Sequence, residues 1–268
     1  MAGIRRGAGD RKLAERDAAS GSPAIHTLRA LRPLPLMASV SPHHPSALRN
    51  RGPIVAKLTE ILSAEAAGAA LEIASGTGAH LEVLAPALPR LRWQPSEYCP
   101  EGVKAVRLDA LGKIGERTGG ASELEQLDAN LRGIANVAPA VALDASEPFE
   151  RWPAVLQPPA EDPGQHRLVF VSNVCHISPW AVTLGLLSGA ARLLAPGGAL
   201  LIYGPFKVGG EFSTVSNREF DESLRARDAA WGYRDVGELV EAGSAVGLGL
   251  EAQHDMPANN LLLQFAKG

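Results

Sequence analysis

The chain has 268 residues, 46% of them hydrophobic and 21% charged, with a formal net charge of -3 and two cysteines. Such a length supports one sizeable α/β core. The weak charge gives no field that would gather nucleic-acid phosphates, and cysteines without ligand spacing argue against a disulfide scaffold and a zinc site. No apolar run reaches the roughly 20 residues that span a bilayer. These bounds predict a small-molecule substrate, no nucleic acid, no membrane, no metal and a reducing, cytoplasmic setting.

Residues 1–40 differ from the rest. Arg5, Arg6, Arg11, Lys12, Arg16, Arg29 and Arg32 stand among Ala, Gly, Ser and Pro, which reads as a disordered leader or an organelle transit peptide. The second reading would move the protein to an organelle. Residues 41–268 form the expected domain. Within it, His43 and His44 read as a solvated loop. Ile54, Leu58, Ile61 and Leu62 then fall on one face of a helix over 47–62.

The run Leu71-Glu72-Ile73-Ala74-Ser75-Gly76-Thr77-Gly78-Ala79-His80 predicts a buried strand, a glycine loop and a helix carrying Leu81, Leu84 and Leu88. Gly76 and Gly78 let a ligand lie against the main chain. A dinucleotide fingerprint needs a third glycine where Leu81 stands, and no phosphate loop is present. The expected ligand is therefore a nucleoside without a phosphate chain, with S-adenosylmethionine the natural candidate. Glu97, about 20 residues beyond the glycines, suits the two ribose hydroxyls, because a carboxylate only accepts hydrogen bonds. Glu72 can orient the loop or the sulfonium-bearing chain. Each acid also has a plainer reading, as a strand-end or solvated carboxylate.

Residues 100–117 carry apolar positions in a mostly helical rhythm, and 122–132 reads as a second polar helix inserted into the crossover. A strand over 137–143 leads to Asp144, a candidate for the adenine amino group or a cap for the turn that follows. Residues 148–165, with five prolines, predict a surface loop. The apolar strand over 167–172 delivers Asn173 and His176 to the rim where ligands of parallel sheets bind. His176 could take a proton from the acceptor, Asn173 could hold acceptor or cofactor, and Trp180 could form a flat wall. A packing histidine and a core tryptophan are the alternatives. A helix over 180–194 and a strand over 199–203 follow, placing Tyr203 and Lys207 near the same rim as secondary substrate contacts. Helices beginning near Ser216 and Asp235 precede two strands, 248–256 and 260–266, joined as a hairpin.

Five blocks in order, Leu71 to His80, Leu91 to Glu97, Asn173 to Trp180, Tyr203 to Lys207 and Met256 to Asn260, resemble the methyltransferase-like 26 family, a branch of the class I S-adenosylmethionine-dependent methyltransferase-like proteins. The resemblance runs from about Ser41 to the C-terminus. It implies a doubly wound, seven-stranded, mostly parallel Rossmann-like sheet with a C-terminal antiparallel hairpin. It also implies a cofactor site built from Glu72, Ala74, Gly76, Gly78, Glu97, Asp144 and Asn173, and methyl transfer near Asn173 and His176 to an acceptor touching Trp180, Tyr203 and Lys207. Arg49, Asn50 and Arg51 would reach the cofactor carboxylate. Ala74 departs from the glycine that usually opens the loop, and Glu97 stands where Asp is frequent. The alternative is an inactive S-adenosylmethionine-binding sensor or partner subunit. Oligomeric state has no signature in this sequence.

Overall fold

A computed structural model describes residues 43–63, 65–99, 104–108, 114–118, 121–157 and 165–268. The expected leader, 1–40, lies outside the described residues.

Helix α1 (Pro45–Leu62) starts at His44, whose ring accepts a hydrogen bond from the Ser46 amide, and Pro45 fits its first turn because that position needs no N–H. The glycine loop and α2 (Leu81–Ala87) follow strand β1 (Gly68–Ile73). Strand β2 (Leu91–Glu97) then ends at the acidic residue predicted for ribose.

The next segment departs from the expected helix. Lys104–Leu108 (β3) and Ile114–Thr118 (β4) pair antiparallel as a separate two-stranded sheet. Val106-Arg107-Leu108 alternates apolar and basic residues with the strand period of two, which competes with the helical period in so short a run. The hairpin is thus the added piece. Helix α3 (Ala121–Asn130), read from sequence as an insertion, is instead the crossover between β2 and the short β5 (Val141–Ala142). Strand β5 is shorter than the predicted 137–143. Val137 makes one isolated bridge to Trp93, and Pro139, which lacks an amide donor, separates that bridge from β5.

Strand β6 (His166–Ser172) runs to the candidate catalytic rim, α4 (Trp180–Leu193) returns, and β7 (Leu194–Gly204) follows. Helix α5 (Val215–Arg225) is capped by Thr214, and α6 (Val236–Ala245) starts with a capping box in which Asp235 and Glu238 each serve the other's backbone. Strands β8 (Leu248–Met256) and β9 (Asn260–Lys267) close the chain as the predicted hairpin.

Seven strands form one sheet in the order β5-β2-β1-β6-β7-β9-β8. The first five are parallel, and β9 turns antiparallel to β7. Alternation along β6 explains the two layers. Leu168 and Phe170 enter a cluster with Ile54, Leu58, Leu84 and Leu127, while Val169 and Val171 enter another with Leu186, Leu187, Ala190 and Leu239. Both faces are covered, which is why β6 is apolar throughout its centre. The order of connections reverses between β1 and β6, so the crevice outside their carboxyl ends is where an open α/β sheet binds ligands.

Candidate active site

Parallel pairing brings the predicted residues to one edge. Glu72 of β1 aligns with Pro95 of β2, Ile73 with Val171 of β6, and Glu97 with Ala142 of β5. The loop after β1 therefore lies between Glu97 on one side and Asn173 on the other. Ser75 donates its amide to the Ser96 carbonyl at 2.7 Å, which carries the β1–β2 pairing into the loop. Ala74, Gly76 and Gly78 all adopt positive φ, at 58°, 62° and 84°, and a side chain is strained in such a conformation.

The two glycines have different reasons to be glycine. A Cβ on Gly76 would meet nothing within 4 Å, whereas one on Gly78 would lie 2.9 Å from Leu131 and 3.1 Å from Leu127. Gly76 leaves empty space where a side chain would stand. Gly78 is required because α3 and the turn after it pack onto the loop. Its amide already donates to the Ser75 carbonyl, so its contribution to a ligand site is indirect. The Gly76 amide donates to Glu97 Oε2 at 2.5 Å, which fixes the carboxylate next to the exposed backbone.

Below the loop, Glu72 is 1% exposed and its Oε1 lies 3.1 Å from His80 Nδ1. Its Oε2 and His80 Nε2 are buried without a protein hydrogen-bond partner. Unpaired buried polar atoms are uncommon in proteins, and these two stand beside the glycine loop. Above the loop, His43 corrects the solvated-loop expectation. It is buried, with Nδ1 2.8 Å from Thr77 Oγ1 and Nε2 3.4 Å from Glu82. Burial draws its pKa down despite Glu82. Arg51 pairs with the same Glu82 at 2.5 Å, so this arginine is engaged in joining α1 to α2. From the other side, Asn130 Nδ2 donates to the Thr77 carbonyl at 2.9 Å. His43, His80 and Asn130 had no spacing signal, because each reaches the loop from a different element.

Asp144 makes the contacts of the turn cap. Its Oδ1 accepts from the Ser146 amide at 2.8 Å and from the Ser146 hydroxyl at 2.6 Å, capping its own turn. The nearby Tyr98, directly after Glu97, is 42% exposed, and burial of its hydroxyl followed by the Asp144 charge raises its pKa. An exposed ring at this edge is a stacking surface that sequence reasoning did not single out.

At the end of β6, Asn173 takes φ 59° and its amide donates to the Tyr203 carbonyl at 2.8 Å. His176 follows in a 3-10 turn and is 6% exposed, with Phe220 and Tyr233 rings 6.0 Å away. Burial, with the Arg234 charge as a lesser cause, pushes its pKa down to about 4. It is therefore neutral near pH 7. The turn is pinned by Arg234, which donates to the carbonyls of Cys175, Ser178 and Ala230. Neighbouring Cys175 is buried, its thiol pushed up to about 11, so it is a packing residue rather than a nucleophile.

Gly204, at the end of β7, completes the rim. A Cβ there would lie 3.7 Å from His176 Nδ1, 3.8 Å from Asn173 Oδ1 and 3.8 Å from Phe206. Its absence leaves a notch flanked by the two residues predicted to do chemistry. The secondary contacts are placed differently. Tyr203 is 2% exposed in the hydrophobic layer against α1 and α2, with its hydroxyl pushed up to about 12 by burial, because alternation along β7 turns it from the notch side into the core. Trp180 packs against the other hydrophobic layer, with the Arg234 guanidinium 5.6 Å above its ring. Lys207 is half-buried, and its backbone pairs with Arg234 and Val236. Among the described residues no group of three or more His, Cys, Asp or Glu is arranged to hold a metal ion, and no helix is long and apolar enough to cross a membrane.

Strand order, glycine loop and terminal hairpin together define the class I methyltransferase fold. The chain belongs to the family described as "Protein of unknown function (DUF938)", whose model matches residues 41–267. Among solved structures it is similar to an O-methyltransferase family protein from Burkholderia thailandensis, with TM-score 0.61 and 14% identity over 83% of this chain and 57% of that one. The mitomycin 7-O-methyltransferase MmcR aligns with TM-score 0.60 and 17% identity over 83% and 54%. The O-methyltransferase NcsB1 of neocarzinostatin biosynthesis, solved with S-adenosylmethionine and 2-hydroxy-5-methyl naphthoic acid, aligns with TM-score 0.51 and 16% identity over 81% and 56%. This chain thus spans a little over half of each of those chains.

Proposed function

We propose that this protein is a methyltransferase that uses S-adenosylmethionine to methylate a small-molecule acceptor. The observation carrying this reading is the convergence on one rim of the empty side-chain space at Gly76, the Glu97 carboxylate beside it and the Gly204 notch. O-methyltransferases among the similar folds support it, one of them solved with S-adenosylmethionine and an aromatic hydroxy acid. The resemblance of five sequence blocks to the methyltransferase-like 26 family supports a position near that branch.

In this reading Gly76 offers backbone to the nucleoside, Glu97 accepts from the ribose hydroxyls, and Tyr98 lies against adenine. The unpaired acceptor of Glu72 and the open face of Gly76 fit such a ligand. When bound, S-adenosylmethionine supplies an electrophilic methyl on a cationic sulfur, which becomes a neutral thioether once an acceptor lone pair takes the methyl. Asn173 and His176 hold the acceptor at the notch. In the tautomer with Nδ1 unprotonated, His176 accepts a hydrogen bond from an acceptor hydroxyl or amine. With a pKa near 4 it is a weak base, so orientation is its main contribution and the released proton passes to water. Alignment of bound reactants alone can lower a barrier by about 7–11 kcal/mol.

Calorimetric titration with S-adenosylmethionine and S-adenosylhomocysteine, repeated on Glu97→Ala, tests the site. Binding that is lost in the variant is expected. Silence with both ligands would overturn the proposal, and binding without turnover across an acceptor screen would leave the inactive sensor as the better description.

A further inference from the structure

A second feature of the rim lies beyond Phe206. A cleft of about 460 Å³ opens between the segment after β7 and the turn of the β8–β9 hairpin. Phe206 and Met256, 4% and 8% exposed, belong to its apolar lining with Leu261 and Phe212. Glu211 and Asp255 line it as exposed acids. No lysine, arginine or histidine is among its lining residues. The guanidinium of Arg218 lies 5.6 Å over the Phe212 ring, outside the lining.

Phe206 borders both this cleft and the notch. The ring that lines the cleft is the one whose Cε2 stands 3.8 Å from the missing Cβ of Gly204, a position 3.7 Å from His176 Nδ1 and 3.8 Å from Asn173 Oδ1. Register explains the juxtaposition. Gly204 pairs with Leu261 across β7 and β9, and Leu261 pairs with Asp255 across β9 and β8. The notch, the apolar lining and one acid are therefore set side by side by the sheet itself. A volume of this size suits a small organic molecule.

We propose that this cleft seats the body of the methyl acceptor and selects it by charge. Resting on the methyltransferase reading, the inference names the acceptor class: a small, partly aromatic molecule, neutral or cationic, bearing a hydroxyl or amine. Its apolar part lies against Phe206, Phe212 and Met256. Its hydrogen-bond donors or ammonium meet Glu211 and Asp255, and the reacting heteroatom extends past Phe206 to Asn173 and His176. Anionic acceptors are disfavoured because two carboxylates with no cation in the lining repel them.

Three phenols of matched shape test this on the full chain: tyramine, 4-ethylphenol and 3-(4-hydroxyphenyl)propanoate, which are cationic, neutral and anionic at pH 7. Binding is read by ligand-observed NMR at millimolar concentration without cofactor, and S-adenosylhomocysteine is titrated separately on the same samples. Tyramine is expected to bind about tenfold more tightly than the propanoate, in the range that one exposed attraction and one exposed repulsion supply together. The paired substitution Glu211→Gln and Asp255→Asn should bring the three phenols within about threefold of one another. Gln253→Trp, on an exposed cleft-lining position of β8, should abolish all three by filling the space. Circular dichroism confirms that each variant is folded, and the charge variants decide the matter if Gln253→Trp is not. Equal or tighter binding of the propanoate, undiminished binding in Gln253→Trp, or no binding of any phenol would overturn the inference. Phenol binding without S-adenosylhomocysteine binding would instead overturn the cofactor reading and leave the cleft standing.

Discussion

Glu97 accepts the amide of Gly76 across 21 residues of sequence at 2.5 Å, tying the end of β2 to the loop after β1. One carboxylate thus sets the loop, and in the proposed site it also accepts from the ribose. A hydrogen bond to a charged group contributes about 1.5–3 kcal/mol. Glu97→Ala should therefore weaken S-adenosylhomocysteine by about 10- to 100-fold in calorimetry. Glu97→Gln retains a carbonyl acceptor for Gly76 but replaces the second acceptor with a donor, so its loss should be smaller. Equal affinities in all three proteins would remove Glu97 from the site.

The glycine pair separates ligand access from packing. Gly78→Ala adds a Cβ within 3.1 Å of two leucines at φ 84°, combining overpacking with backbone strain, and should cost about 2–4 kcal/mol of stability. Gly76→Ala meets open space and should cost about 1–2 kcal/mol from strain alone. Urea denaturation of both variants gives the comparison. A Gly76 variant as unstable as the Gly78 variant would contradict the different surroundings of the two positions.

Ala74 occupies a left-handed conformation, φ 58°, with a Cβ that such a backbone disfavours. Ala74→Gly should relieve that strain at the smaller expense of a more flexible unfolded chain. The expected gain is about 0.5–1 kcal/mol, or roughly 1–4 °C in melting temperature for a domain of this size. A lower melting temperature would show that the loop is held without strain.

Acid should weaken the fold through two buried histidines. His166, at the start of β6, and His176 are both pushed down to about 4 from 6.5, chiefly by burial. Between these values the unfolded chain binds more protons than the folded one. The stabilisation of the neutral rings is complete above about pH 6.5 and is lost as pH falls toward 4. Each should remove about 2 kcal/mol between pH 7.5 and pH 5. His166→Gln, distant from the rim, should flatten the pH dependence of urea stability by about one such share. An unchanged slope would show that His166 is not the group responsible.

Several features were legible in residues 71–80 because glycine and strand signals are local. The β1 strand, the loop, α2 and the terminal hairpin all follow from short-range pattern. The 100–117 segment was misread because an apolar and basic rhythm over so few residues satisfies two periods, and the hydrogen-bond ladder of β3 and β4 decides between them. Asp144 had two local readings of nearly the same merit, and its contact with Ser146 is the one a turn cap makes.

The sequence by itself determined the fold class, the place of the glycine loop and the arrival of Glu97, Asn173 and His176 at strand ends, because strand period and chain order carry that information. Tertiary structure alone decided that α3 covers Gly78, that His43 closes over Thr77, that Tyr203 turns inward and that Phe206 borders both the Gly204 notch and an acidic cleft. Those relationships depend on distances between residues far apart in the chain. They arise only when parallel register and helix packing bring the side chains together.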